Sequence, residues 1–158
     1  MTAARSSGAD AALRARVVAE ARRWIGTPYV HQASCLGAGA DCLGLVRGVW
    51  RSVIGPEPEA TGPYSADWAE ATGEDRLMAA AARHLVRLPV GEAAPGDVLL
   101  FRMRDGAAAK HVGILATEGL CPGRIIHAYS RHAVAESSLT DAWIRRIAGA
   151  FRFPAMRV

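Results

Sequence analysis

The chain predicts an α+β fold, with helices in its first half and an antiparallel sheet of about five strands in its second. Three observations carry this reading. Apolar residues recur at helical spacing over 11–24 and again over 42–54. After Pro95-Gly96 the pattern changes to short apolar, β-branched runs separated by turn signals. Helices followed by a block of strands indicate segregated α and β regions rather than alternating βαβ units. At 158 residues, 51% hydrophobic and 22% charged, the chain suits one globular domain with a real core.

Residues 1–10 form an N-terminal tail. From Ala11 to Trp24, Leu13, Val17, Ala21 and Trp24 make an apolar stripe between charged residues, and Gly26-Thr27-Pro28 stops the helix. Residues 29–40 lack periodicity and read as a loop. The next helix runs from Cys42 to Ile54, and its apolar residues surround most of it, so it is expected to be buried. Gly44 and Gly48 each cost about 1 kcal/mol relative to alanine. They lie four apart on one face, which lets a neighbouring element come close. Gly55-Pro56 ends this helix, and residues 55–68 read as a Pro/Gly-rich surface segment. A third helix is expected over Glu74–Leu85. Strands are expected at 97–104, 111–117, 124–130, 133–138 and 148–153.

The formal charge is +4 and the pI about 9.4, with basic residues clustered no further than the pairs Arg22-Arg23 and Arg145-Arg146. No specific nucleic-acid contact is expected from that pattern. A weakly basic surface would suit an anionic polymer such as bacterial cell wall, but charge does not select it. Three cysteines, an odd number, do not suggest a disulfide scaffold at this size. The first residues are broken by charges, unlike a signal peptide, and no run approaches the ~20 apolar residues of a membrane span. Synthesis in the cytoplasm without a signal peptide is therefore expected, and any work outside requires a carrier.

Cys42 falls at the expected start of the buried helix, with Asp41 as N-cap. The partial positive charge and unpaired N–H groups there favour a thiolate and can receive an oxyanion. Read alone, the same cysteine suits a small buried hydrophobe. Cys35 and Cys121 lie in expected loops. His111 opens a strand after a polar loop and can serve as the base a thiol needs. His127 sits among Ile125, Ile126 and Ala128, so a buried ring there needs a partner, and the other imidazole would provide one. Alone, each histidine also suits a satisfied strand residue. His31, His84 and His132 have weaker contexts. A metal site is not expected: Cys35 and Cys42 are too far apart for a C-x-x-C pair. The chain has no P-loop, no GxGxxG and no serine elbow, and no cofactor is expected.

In order, "WIGTPY" (24–29), "DCLGLV" (41–46), "PGDVLLF" (95–101), "HVGIL" (111–115) and "IIHAY" (125–129) resemble the NlpC-type papain-like cysteine peptidases of bacterial cell wall. The resemblance covers about residues 11–153 and implies a single NlpC-type domain over 11–158. It implies a cysteine-bearing helix packed on a sheet that bears both histidines. It assigns Cys42 as nucleophile, His111 as general base and His127 as the orienting third residue. Tyr29, with Asp41, falls on the oxyanion and substrate side. The implied substrate is the peptide of peptidoglycan, cut between D-glutamate and diaminopimelate. Leu43 stands where the family commonly has serine, and Val30-His31-Gln32 where it often has Gly-Gly.

"HQASCLGAGADCLGLVRGVW" (31–50), "PYSADW" (63–68) and "RRIAGAFRFP" (145–154) further resemble NlpC-type proteins of phage tails and gene transfer agents. That implies phage-like tail proteins as partners and a particle that brings the enzyme to the periplasm and wall. A wall amidase or acyltransferase on the same scaffold, or a structural tail-hub subunit with weak or no activity, are the alternatives.

Overall fold

The computed structural model describes residues 8–58 and 76–154. In chain order it has α1 (Gly8–Arg23), β1 (Ser34–Cys35), β2 (Gly39–Ala40), α2 (Cys42–Val53), α3 (Arg76–His84) and β3 (Val86–Leu88). A 3₁₀ turn at Val90–Glu92 follows, then β4 (Val98–Arg102), β5 (Ala109–Leu115), β6 (Arg124–His127), β7 (Ala135–Ser138), α4 (Asp141–Arg145) and β8 (Ile147–Arg152).

The main sheet is six-stranded, in the order β3-β8-β4-β5-β6-β7, and every neighbouring pair is antiparallel. The helix-then-sheet order read from the sequence holds, with one strand more than expected in this sheet. β3 is short and exposed at its first two residues, so it carried no alternating signal. The expected loop over 29–40 contains the two-residue ladder β1–β2, which places Cys35 on a strand. α1 begins at Gly8, inside the expected tail. The expected strand over 124–130 ends at His127, before the turn containing Arg131 at φ 68°. The first two residues of the third expected helix, most of the 55–68 segment and "PYSADW" fall outside the described residues.

Side chains alternate across a strand, so the sheet has two separately packed faces. Val98, Leu100, Val112, Ile114, Ile126 and Phe151 pack against α1, α2 and α3 to form the larger core. Leu99, Phe101, Leu115, Ile125 and Ala150 form a smaller core under Leu139, Trp143 and Ile144. α2 fits into the first layer because of its glycines. A Cβ at Gly44 would overlap the Ala33 carbonyl oxygen, and one at Gly48 would overlap the Trp24 indole. The two neighbours that these glycines admit are thus the chain leading into β1 and the end of α1.

Asp97, fully buried, ties the start of β4 to the last strand. Arg152 donates from Nε and a terminal nitrogen to both carboxylate oxygens, each at 2.8 Å, and the Ala94 N–H also donates at 2.8 Å. Removing one member of a buried pair strands the other, at a cost of about 3–5 kcal/mol. Arg152 keeps part of its side chain in water. Asp97→Ala is therefore expected at the low end, about 3 kcal/mol, read as a lower urea midpoint with an unchanged slope.

Candidate active site

Asp41 builds the start of α2. It is 2% exposed, its Oδ1 accepts from the Gly44 N–H at 2.7 Å and its Oδ2 from the Gln32 N–H at 2.7 Å. One carboxylate thus caps the helix and pins the preceding loop, where Gln32 holds φ 66°. Ser34 Oγ adds a hydrogen bond to the Gly44 carbonyl at 2.6 Å. Cys42 follows as the first helical residue, and its backbone position is fixed from both sides.

The backbone N–H groups of Val112, the residue after His111, and of Leu43 and Cys42 act on the sulfur and favour its charged form. The Val112 amide is open to it because β5 and β6 pair only at Ile114↔Ile126 and Leu115↔Ile125, and the strands part beyond. Cys42 therefore approaches from the helical layer and meets the edge of the β5 backbone.

His111 and His127 lie on the other face. Phe101 is the cross-strand partner of His111 in the β4–β5 register, and their rings are 5.7 Å apart. A bulge in β4 at Phe101/Arg102 adjoins this pair. Gly113, two residues after His111 on the same face, leaves room for the second ring: a Cβ there would overlap Ile125 and stand 3.1 Å from the His127 Cβ. The result is a hydrogen bond of 2.8 Å between His111 Nε2 and His127 Nδ1, with both residues 5% exposed.

Tyr29 reaches the same place from the loop after α1, held by a bridge to Ala40. Its hydroxyl is hydrogen-bonded to Ser130, and its pKa is raised by burial and then by the charges of Cys42 and Asp41. The structure thus brings together Cys42, Asp41 and Tyr29, and pairs His111 with His127. His31 lies near Asp41, Nδ1 to Oδ2 3.8 Å, and is exposed. His132 stacks on Tyr129 at 6.0 Å, and His84 ends α3. Among the described residues no three His, Cys, Asp or Glu side chains form a metal-binding group.

Three aromatic side chains around the pair were not singled out from the sequence. Trp143 of α4 contacts both imidazoles, Tyr129 contacts both, and Phe101 backs His111. Thr140-Asp141, an N-cap followed by an acidic first turn, is the signal that would have found α4: the Thr140 hydroxyl accepts from the Trp143 N–H.

Burial, not the helix terminus, sets the charge state. It pushes the Cys42 thiol up to about 12, with the Asp41 carboxylate adding to the rise and the three N–H groups opposing it. Burial lowers His111 to about 3, with His127 as second cause, and lowers His127 to about 4, with His132 as second cause. The resting site holds a thiol and two neutral imidazoles, where the helix position alone predicts a thiolate.

A stability dome follows. Below about 6.5 the unfolded chain binds protons that the folded imidazoles refuse, so stability falls as pH drops from there toward 3–4. Above about 9 the unfolded thiol loses a proton that folded Cys42 keeps, so stability falls again toward 12. Melting temperatures measured across pH should show the acid limb reduced in His127→Gln, and the alkaline limb reduced in Cys42→Ala.

Comparison with known proteins bears on family and fold. The NlpC/P60 family model matches residues 26–152. Gamma-DL-glutamyl hydrolase of Bacillus subtilis (strain 168) is 32% identical over 143 residues, 90% of this chain. The chain spans 30% of that protein's length. Among solved structures, the NlpC/p60 domain of the peptidoglycan hydrolase SagA is 28% identical with a TM-score of 0.58, over 89% of this chain and 98% of that one. The peptidoglycan hydrolase RipB of Mycobacterium tuberculosis, 17% identical, shares the fold with a TM-score of 0.61 over 96% of this chain and 69% of its own. With the family model matched across both the cysteine-bearing helix and the histidine-bearing strands, the chain belongs to the NlpC/P60 family.

Proposed function

We propose that the chain is a cysteine endopeptidase that hydrolyses the stem peptides of bacterial peptidoglycan between D-glutamate and diaminopimelate. The observation that carries this is the buried His111–His127 hydrogen bond beside a capped helix start whose cysteine sulfur touches the next amide of β5. The family is one of cysteine peptidases, and the relative named for gamma-DL-glutamyl hydrolysis supports a glutamyl bond.

His111 works as base through Nδ1, because Nε2 is committed to His127. In that tautomer Nε2–H donates to His127 Nδ1, which must be an unprotonated acceptor. In this reading the thiol proton passes to His111 Nδ1 through the opening where β5 and β6 part, as the sulfur attacks the carbonyl carbon. The imidazolium so formed is stabilised by the bond to His127, and the low proton affinity of His127 keeps that acceptor available. The Cys42 N–H and the Tyr29 hydroxyl receive the oxyanion. The hydrogen bond to Ser130 positions the Tyr29 hydroxyl and opposes the rise in its pKa that burial causes. Asp41 serves the substrate side indirectly, since both its oxygens hold backbone amides. His111 returns the proton to the leaving amine, and water cleaves the thioester. Leu43, which follows the nucleophile, is half-buried and packs against the larger core.

Delivery by a phage-like tail particle is the second part of the proposal, supported by the resemblance of 31–50 and 145–154. Purified peptidoglycan is digested and the products are weighed by mass spectrometry. Fragments ending in D-glutamate and beginning with diaminopimelate are expected; peptide-free glycan would instead identify an amidase and overturn the bond assignment. Proteomic analysis of tail particles purified from the producing cells should find the chain, and its absence overturns the delivery role.

A further inference from the structure

We infer that Trp143 is a positioning residue for the histidine pair: its indole covers the His111–His127 hydrogen bond and fixes His111 in one ring orientation and one tautomer. The indole centroid lies 5.3 Å from His111, 5.4 Å from His127, 5.3 Å from Tyr129 and 5.2 Å from Phe101. It meets His127, Tyr129 and Phe101 edge to face, at 84°, 88° and 75°, and is tilted 38° to His111. Among the described residues, one side chain thus contacts both imidazoles and the two aromatic rings, Phe101 and Tyr129, that contact them.

The backbone that carries it is held at both ends of α4. Thr140 caps α4 by accepting from the Trp143 N–H. Arg146, the one residue between α4 and β8, accepts at its carbonyl from the Arg102 N–H at 2.8 Å, next to Phe101. The indole also packs on the smaller core of Leu99, Phe101, Leu115 and Ile125. Trp143 is itself half-buried while both histidines are nearly closed to solvent, so the indole is a wall between the pair and water. Where water competes for donor and acceptor, a hydrogen bond is worth only about 0.5–1.5 kcal/mol net, and imidazole tautomers exchange through solvent. In a dry, low-dielectric setting the same bond is stronger and directional. Phe101 stands beside the indole, 5.7 Å from His111 and 5.2 Å from Trp143, so two packed rings together limit the turning of the imidazole.

The catalytic meaning of this rests on the peptidase reading; the structural part does not, and the experiment separates the two. The full chain is prepared as wild type, Trp143→Phe and Trp143→Ala, with folding checked by circular dichroism. Side-chain ¹⁵N spectra of the histidines are followed across pH, together with the rate of peptide release. In wild type one tautomer of His111, carrying its proton on Nε2, is expected. In Trp143→Ala both tautomers should appear, and the His111 and His127 titration midpoints should move up toward the ordinary histidine value. kcat should fall about 10- to 100-fold with KM within about twofold, since small misplacement of a reacting group costs about that much. Trp143→Phe, which keeps an aromatic cover, should lie between and retain most of the rate. If Trp143→Ala fails to fold, Trp143→Phe still decides through its intermediate shift. Histidine spectra unchanged in both variants overturn the inference. Altered spectra in a protein that releases no peptide even as wild type would leave the indole's role intact and remove the peptidase reading.

Discussion

Cys42→Ala and His111→Ala are each expected to lower peptide release from peptidoglycan by on the order of 10⁴-fold or more, because the groups act as one unit. His111→Ala leaves the buried His127 ring without its partner and should cost about 1–3 kcal/mol of stability, whereas Cys42→Ala should not cost the fold. Cys42 keeps some surface, and alanine at a first helical turn is well tolerated. The double variant should be little worse than either single one, since a thiol without its base and a base without its thiol are equally idle. His127→Ala should fall less, on the order of 10²- to 10⁴-fold, because it removes orientation and charge stabilisation but not the proton acceptor. His127→Asn should recover part of that loss, since a carboxamide oxygen can accept from His111 Nε2–H. A His127→Ala protein as inactive as His111→Ala, with no recovery in His127→Asn, would mean that His127 is not an orienting group. The measurement is initial rate at saturating and at low substrate.

Gly44→Ala sets two opposing effects against each other at one position. Helix propensity favours alanine by about 1 kcal/mol. Packing opposes it, because the new methyl would overlap the backbone carbonyl of Ala33 and stand 3.1 Å from Asp41 Oδ1. A flexible side chain could yield, but this carbonyl is part of the loop held by the Asp41–Gln32 and Ser34–Gly44 hydrogen bonds. Overpacking costs about 1–3 kcal/mol where the neighbour can shift and more where it cannot. A net loss of about 2 kcal/mol is expected, roughly 4–8 °C in melting temperature for a chain of this size. Activity should fall too, because the same movement breaks the cap that places Cys42. Gly48→Ala, which meets the Trp24 ring instead, should cost stability with little effect on rate. A Gly44→Ala protein melting above wild type would mean that propensity wins and the loop is not pinned.

Those two glycines also mark how far the sequence could be read. Their spacing predicted a close neighbour, and the structure supplies Ala33 and Trp24. The cap at Asp41 and the burial of α2 were legible because a side-chain acceptor followed by an apolar run has few other uses. The two histidines were legible as strand residues, and their pairing followed from the need of a buried ring for a partner. Other features were hidden for physical reasons. β1, β2 and α4 are too short to show periodicity. Trp143 is 16 residues beyond His127 in the chain, so only the folded sheet brings it to the pair. The thiolate expected from the helix terminus gave way to a thiol because depth of burial is a property of the whole fold. The Val112 amide became available only because β6 leaves β5 early, a register detail with no side-chain signature.

The central claim is that Cys42 is the nucleophile, and selective alkylation tests it most directly. The chain has three cysteines, all free. In a Cys35→Ser/Cys121→Ser protein the only remaining thiol is Cys42. That protein should hydrolyse peptidoglycan as wild type does. On treatment with a small alkylating reagent, activity should disappear in step with one label per chain, mapped to Cys42 by peptide mass spectrometry. A fully labelled protein that still releases peptides would contradict the assignment.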